Sequence, residues 1–311
     1  MIVDVKNVTK KYGDIVALDG FNMEVQKGEI YGLLGPNGSG KTTTLNCILA
    51  LLKCDEGKIK LFDEEMTPAR YDLKARVGYV PQDISVFKDL RVYENIDFFC
   101  GLYIKDKMLR KKYVEEAIEF VGLQDFRKMY PKKLSGGLRR RLNLACGIVH
   151  KPELLIFDEP TVAVDPQSRN SILEGIRKLN EDGATVIYTS HYMEEVEQLC
   201  NNISIMDKGK ILVTGDKYHL IKSVGLGEQL VLGGVVDLSK ENLKVLENIS
   251  GVTKISVNAD TATFYIKDRM AIAHILTYIE NNDISFNKMN MLSPTLNDVF
   301  LEITGKELRD E

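Results

Sequence analysis

The stretch Gly35-Pro36-Asn37-Gly38-Ser39-Gly40-Lys41-Thr42 decides the reading of this chain. It fits G-x-x-x-x-G-K-[ST], a loop whose backbone N–H groups cradle nucleotide phosphates. Its neighbours come in the order such a loop needs. Ile30-Tyr31-Gly32-Leu33-Leu34 is an apolar run that reads as a buried strand entering the loop, and Thr42 to Leu52 reads as the helix leaving it. Glycines permit the turn that aims successive amides inward, and the helix N-terminus adds partial positive charge. Lys41 can reach the β- and γ-phosphates, and the Thr42 hydroxyl is the expected Mg²⁺ ligand. The candidate nucleotide cradle is therefore Gly35, Pro36, Asn37, Gly38, Ser39, Gly40, Lys41, Thr42 and Thr43.

Composition narrows what surrounds this loop. The 311 residues suffice for one large domain and a small one. With 44% hydrophobic and 28% charged residues, the chain has the make-up of a soluble globular protein. A net charge of −4 gives no basis for bulk electrostatic binding to nucleic acid. No window approaches the roughly 18–20 apolar residues of a membrane span. The N-terminal MIVDVKNVTKKY lacks the apolar core of a signal peptide. A cytoplasmic protein is expected, reaching a membrane only through a partner. The cysteines Cys47, Cys54, Cys100, Cys146 and Cys200 are odd in number and form no C-x-x-C pair, so free, mostly buried thiols are expected.

A second constellation lies downstream. Leu154-Leu155-Ile156-Phe157-Asp158-Glu159 is an apolar run ending in two carboxylates. Such a run suits a strand buried on both faces of a parallel sheet. A carboxylate just past its C-terminal end points into the crevice where open α/β sheets bind ligands. There Asp158 can hold Mg²⁺ opposite Thr42, and Glu159 can orient or polarise an attacking water. Between the two motifs lies Leu134-Ser135-Gly136-Gly137-Leu138, followed by the helical RRRLNLACGIVH. Ser135 at a helix start can be an ordinary N-cap or, with the Gly136 and Gly137 amides, an anion site.

The phosphate loop, LSGG and strand-Asp-Glu, in this order, resemble the nucleotide-binding domain of ATP-binding cassette (ABC) transporters. The resemblance implies ATP and Mg²⁺ as ligands. It also implies a dimer in which LSGG of one subunit faces the γ-phosphate of ATP held by the other. Tyr12, in KKYGDIVAL, matches the aromatic residue that stacks on adenine. Gln82, in VGYVPQD, matches the Q-loop glutamine, a Mg²⁺ and γ-phosphate sensor. His191, in VIYTSHYMEEVE, matches the switch histidine after a strand at Ala184–Tyr188, and Asp165, in PTVAVDPQSR, matches the D-loop aspartate. The catalytic set implied is Glu159, His191 and Gln82; the metal ligands implied are Thr42, Gln82 and Asp158. Two positions depart from the family pattern. Leu138 stands where Gln is usual, and Ala163 stands where the D-loop often has glycine, which makes that backbone less free. SGGLRRRL, TVAVDPQSR, SHYMEEVE and the tail SPTLNDVFLEITGKELRD are similar to the branch that includes the daunorubicin-resistance ATPase and related drug, lipid and nodulation exporters.

The fold class expected is α/β: a P-loop NTPase cassette over residues 1–220, with a mixed sheet and a helical subdomain, then a small α+β domain over 221–311. The opening strands, IVDVKNVTKKY and IVALDGFNMEV, read as an antiparallel edge. After Val224–Gly227 the pattern is strand 228–236, helix 240–248, strands 252–258 and 261–267, helix 269–280, strand 284–292 and helix 294–303, a ferredoxin-like order plus a terminal helix. No catalytic constellation is visible there; dimer packing, regulation and filling of the dimer interface all remain open as its role. The resemblance also implies a polytopic membrane permease whose coupling helices meet the Q-loop and the helical stretch Lys105–Leu123. Phe87, Leu90, Tyr93, Ile96, Phe98 and Phe99 are candidates for that contact or for plain core packing. Arg139-Arg140-Arg141 reads as a solvated helix face. The function expected is the ATPase subunit of an exporter at the inner face of the membrane, working as a homodimer or with a sister ATPase. A soluble ABC-type machine acting on ribosomes or chromosomes is disfavoured, because the chain has one uninterrupted cassette and an acidic balance. A P-loop regulator with little turnover is disfavoured by the intact Lys41, Thr42, Gln82, Asp158, Glu159 and His191.

Overall fold

The computed structural model describes residues 1–225, 227–235 and 238–304. The chain packs as two compact units, Met1–Asp216 and Lys217–Glu311.

In the first unit, β1 (Val3–Tyr12) and β2 (Ile15–Val25) form an antiparallel ribbon. β3 (Ile30–Leu34), buried along its whole length, leads through the phosphate loop into α1 (Lys41–Ile48). β4 (Glu56–Leu61) and β5 (Glu64–Glu65) extend the ribbon to a four-stranded sheet of order β2-β1-β4-β5. Next come α2 (Tyr71–Lys74), β6 (Val77–Val80), α3 (Val92–Gly101), α4 (Lys107–Phe120) and α5 (Gly136–Ile148). β7 (Leu154–Asp158), α6 (Pro166–Glu181), β8 (Thr185–Ser190), α7 (Met193–Leu199), β9 (Asn202–Asp207) and β10 (Lys210–Gly215) complete it.

The main sheet has the order β10-β9-β3-β8-β7-β6 and is parallel except at the β10 edge. β3, β7 and β8 are buried throughout, as continuous apolar runs covered on both faces must be. Val3, Phe21 and Leu61 of the ribbon sheet share one apolar core with Leu33, Leu45, Ile48 and Ile156. The strand order brings four C-terminal ends side by side. Val80 pairs with Phe157, Asp158 with Thr189, and Leu34 with Ser190. The loops leaving these ends carry Gln82, Glu159, the phosphate loop and His191.

Several expectations are corrected. α1 ends at Ile48, not Leu52, because Ala50 turns left-handed (φ 48°) and the Leu51 and Leu52 amides close back on the Asn46 carbonyl at 2.9 and 3.1 Å. Ile96 is fully buried and belongs to the core, whereas Phe87 and Phe98 are 46% and 45% exposed, with ring centroids 4.9 Å apart. Arg140 is not on a solvated face: it is buried, and its Nη1 donates to the Pro81 carbonyl at 3.2 Å.

The second unit contains α8 (Lys217–Ser223), β11 (Glu228–Gly233), α9 (Lys240–Glu247), β12 (Val252–Asn258), β13 (Thr261–Ile266), α10 (Met270–Asn281), β14 (Lys288–Leu292) and α11 (Leu296–Thr304). Its strands have the order β12-β13-β11-β14, antiparallel throughout, the split β-α-β arrangement of ferredoxin-like folds. Leu230, Leu232, Phe264 and Ile266 pack against Ile275 and Ile279 of α10 and Leu246 of α9. β11 ends at Gly233, before a left-handed Gly234 (φ 66°). β14 starts at Lys288 rather than 284: Ile284 is buried in the preceding turn, where its amide reaches the Ile279 carbonyl at 3.1 Å. Leu226, Val236 and the Gly305–Asp310 end of the tail motif lie outside the described residues. Among the described residues no helix is long and apolar enough to cross a membrane.

Candidate active site

The phosphate loop is built by close backbone approach. Gly40 has φ 110°, and a Cβ there would stand 2.7 Å from the Ala17 carbonyl oxygen. The loop is tied internally by the Ser39 amide to the Pro36 carbonyl at 3.1 Å, and externally by the Gly209 amide to the Ser39 carbonyl at 2.8 Å. Lys41, the first residue of α1, folds back over the loop. Its Nζ donates to the Gly35 and Pro36 carbonyls at 2.7 and 3.2 Å and faces Glu159 Oε1 at 3.0 Å.

One residue along α1, the Thr42 hydroxyl donates to Asp158 Oδ2 at 2.9 Å, and the Thr189 hydroxyl donates to the other oxygen, Oδ1, at 2.8 Å. Glu159 turns left-handed (φ 46°) directly off the strand end. Such a conformation costs a non-glycine residue of order 1 kcal/mol or more and persists only where neighbours impose it. Here the Glu159 amide is held by the Thr189 hydroxyl at 3.0 Å and by the Thr189 carbonyl at 3.2 Å. The turn aims the carboxylate at three partners. Besides Lys41, Gln82 Nε2 donates to Oε2 at 3.3 Å, and His191 Nδ1 lies 3.1 Å from the same oxygen.

The two adjacent carboxyls are pushed in opposite directions. Burial raises Asp158, against the Thr189 and Thr42 hydrogen bonds that favour its charged form. Burial also opposes ionisation of Glu159, but His191 and Lys41 outweigh it and hold this carboxyl down at about 2. Lys41, Thr42, Gln82, Asp158, Glu159 and His191 thus meet in one network, although they are scattered along the cassette sequence.

Ser135, Gly136, Gly137 and Asp165 form a second cluster. Ser135 caps α5 by accepting the Leu138 amide at 3.3 Å, and Asp165 caps α6 by accepting the Ser168 amide at 2.9 Å. A Cβ on Gly137 would stand 2.7 Å from Ser168 Oγ and 3.2 Å from Asp165 Oδ2, so the two helix starts pack directly on each other. Ala163 adopts φ 56°, the left-handed conformation that glycine would take without strain. Among the described residues, no hydrogen bond or ion pair joins this cluster to the phosphate loop. Tyr12, 46% exposed, ends β1, and the Lys10 ammonium lies 5.5 Å from its ring centroid.

Three supporting residues escaped the sequence reading. Thr189 gave only a weak signal, a hydroxyl inside an apolar strand. Arg140 and Asn143 both donate to the Pro81 carbonyl, at 3.2 and 3.3 Å, and so tie α5 to the segment just before Gln82. Their i,i+3 spacing on one helix face was the available clue.

Comparison with known proteins identifies the family. Residues 18–162 match the ABC transporter family, and residues 229–304 match the C-terminal domain of DrrA1-3-like ATP-binding proteins. The linearmycin resistance ATP-binding protein LnrL of Bacillus subtilis (strain 168) is 37% identical over 99% of this chain and 100% of its own length. The Nod factor export ATP-binding protein I of Cupriavidus metallidurans is 34% identical over 99% of this chain and 99% of its own. The daunorubicin resistance ATP-binding protein DrrA3 of Streptomyces coeruleorubidus is 31% identical over 99% of this chain and 97% of its own. The ATP-binding cassette MJ0796, solved as a dimer in a post-hydrolysis state bound to ADP and Pi, superposes with a TM-score of 0.64 at 28% identity, covering 69% of this chain and 98% of that one. With its phosphate loop, its paired carboxylates and its DrrA1-3-like C-terminal domain, the chain belongs to the ABC transporter family as an ATP-binding ATPase cassette.

Proposed function

We propose that this chain is the ATPase subunit of an ABC exporter, hydrolysing ATP at the interface of two cassettes to drive transport through a separate polytopic permease. The observation that carries the reading is the convergence of Lys41, Gln82 and His191 on the Glu159 carboxylate, at 3.0, 3.3 and 3.1 Å. Gly35, Asn37, Gly38, Ser39, Gly40 and Thr43 line the phosphates with backbone amides, Pro36, which has no N–H, shapes the turn, and Tyr12 offers its exposed ring to the base. Lys41 exchanges its ion pair with Glu159 for one with the β/γ-phosphates. That exchange matters for the chemistry: freed of the Lys41 charge, Glu159 becomes a stronger base, so substrate binding itself readies the group that orients the attacking water. His191 and Gln82 then contact the γ-phosphate while still facing Glu159. Catalysis is positioning and charge stabilisation, with little covalent work for the protein.

The Thr42 hydroxyl, the Asp158 carboxylate and the Gln82 amide oxygen form a hard all-oxygen donor set, which suits Mg²⁺. The ion would neutralise charge on the phosphate oxygens. Thr42 and Asp158 are already oriented by their mutual hydrogen bond at 2.9 Å, and Thr189 fixes the second Asp158 oxygen.

Ser135, Gly136, Gly137 and Asp165 serve the ATP of the partner subunit. A chain carrying both halves can close on a second copy of itself, so we favour a homodimer. Phe87 and Phe98, exposed beside the Q-loop segment, are the contact for the permease, which places the protein peripherally at the cytoplasmic face of the membrane. The division of labour assigns nucleotide chemistry to residues 1–220 and an accessory role to 221–311. Glu159→Gln tests the reading. ATP turnover should fall roughly 10²- to 10⁴-fold with ATP still bound, measured as steady-state hydrolysis and nucleotide affinity. Hydrolysis at the wild-type rate would remove Glu159 from the role of general base.

A further inference from the structure

Glu195 of α7 is 3% exposed, and none of the motifs above assigns it a role. Its Oε2 accepts three hydroxyls: Thr161 Oγ1 at 2.8 Å, Tyr188 Oη at 2.8 Å and Ser190 Oγ at 3.0 Å. Its other oxygen faces Arg169 Nε at 3.3 Å. Burying a carboxylate is costly, and it is tolerated only where partners satisfy it. Val196 and Leu199 show that apolar residues fill neighbouring buried positions of α7. Packing alone therefore gives no reason for a carboxylate here.

Its partners explain it, because all of them flank groups of the active site. Thr161 lies two residues beyond Glu159. Ser190 immediately precedes His191, and its oxygen also accepts the Tyr192 amide at 2.9 Å, so the chain on both sides of His191 is pinned through one hydroxyl. Arg169 stands one turn into α6 from the Asp165 cap. Its guanidinium lies 4.8 Å from the Tyr192 ring centroid, and that ring lies 4.1 Å from the His191 ring. One buried carboxylate thereby ties together the turn after Glu159, the strand end before His191 and the D-loop helix.

We infer that Glu195 is a positioning residue for ATP hydrolysis, holding His191 in the register at which it meets Glu159. The inference rests on the roles proposed above for Glu159 and His191. Glu195→Gln keeps the side-chain volume but turns an amide NH₂ toward either the three hydroxyl donors or Arg169. Single-turnover rates and ATP affinity should be measured for wild type, Glu195→Gln, His191→Ala and the double variant, together with Tm. Expected is a rate loss of roughly tenfold to a hundredfold for Glu195→Gln, with ATP affinity within about twofold of wild type. In the His191→Ala background the same change should cost no further rate, since it acts through His191. A folded Glu195→Gln variant at the wild-type rate, or rate losses that multiply, overturns the inference. Where Glu195→Gln lowers Tm too far to assay, Ser190→Ala replaces it in the same cycle, and the same two outcomes decide. An active Glu159→Gln would instead reject the role proposed above for Glu159, so the two failures are distinguishable.

Discussion

The two halves of the nucleotide site differ in how they satisfy their polar groups. Around the phosphate loop, side chains from four strand ends bond to one another: Lys41 with Glu159, Thr42 with Asp158, and Gln82 and His191 with Glu159. In the LSGG half, Ser135 and Asp165 satisfy only their own helix starts. The first half is a network, in which moving one group disturbs the rest. The second is a pair of capped helix ends packed on each other. The difference is what the proposed reading requires, in which one chain carries two complementary half-sites rather than one complete site.

Breaking the comparison outright should give the largest effect. Lys41→Ala and Ser135→Arg should each abolish hydrolysis in the purified homodimer, by roughly a hundredfold or more. Mixing the two variants should restore it, because half the hybrid's sites carry neither lesion. Mixtures that exchange subunits yet stay as inactive as their parents would show that the halves do not combine. A middle-sized effect comes from the network half. Thr189→Val removes the hydroxyl that serves both Asp158 and Glu159, so kcat should fall about tenfold with ATP affinity near wild type. Unchanged kcat would demote Thr189 to strand packing.

Smaller effects sharpen the contrast. The Glu159 carboxyl titrates at about 2, below its ordinary 4.5. Its ion pair therefore contributes full stability above pH 4.5 and loses it as pH falls toward 2. The Tm difference between wild type and Glu159→Gln should close over that range; a constant difference would mean that the charge on Glu159 is not what stabilises the site. At the site's margin, Tyr12→Ala should raise the KM for ATP a few-fold, consistent with about 0.5–1.5 kcal/mol for an aromatic stack, and leave kcat alone.

How legible each part was follows from how local its physics is. The phosphate loop could be read in full, since consecutive residues set its backbone and its single-helix continuation. The buried strands could be read as unbroken apolar runs, and the second unit's β-α-β-β-α-β order as alternating periodicities. Ends were less legible. The early stop of α1 depends on a left-handed Ala50, and the late start of β14 depends on Ile284 being drawn into the core. The Arg139–Arg141 run misled because charge runs usually lie on solvated faces. Arg140 instead spans to a carbonyl of the Q-loop segment, a partner supplied by another part of the chain.

By itself the sequence determined the nucleotide chemistry, the family and the residue types of the phosphate loop, because these are written in short contiguous motifs. Only the tertiary structure decided that Glu159 is the point of convergence, that Thr189 serves both carboxylates, and that Glu195 links the turn after Glu159 to His191 and α6. These arrangements arise where β7 pairs with β8 and α7 packs on β8. Hydrogen bonds between residues distant in sequence depend on strand register and burial, and neither leaves a signature in any local window.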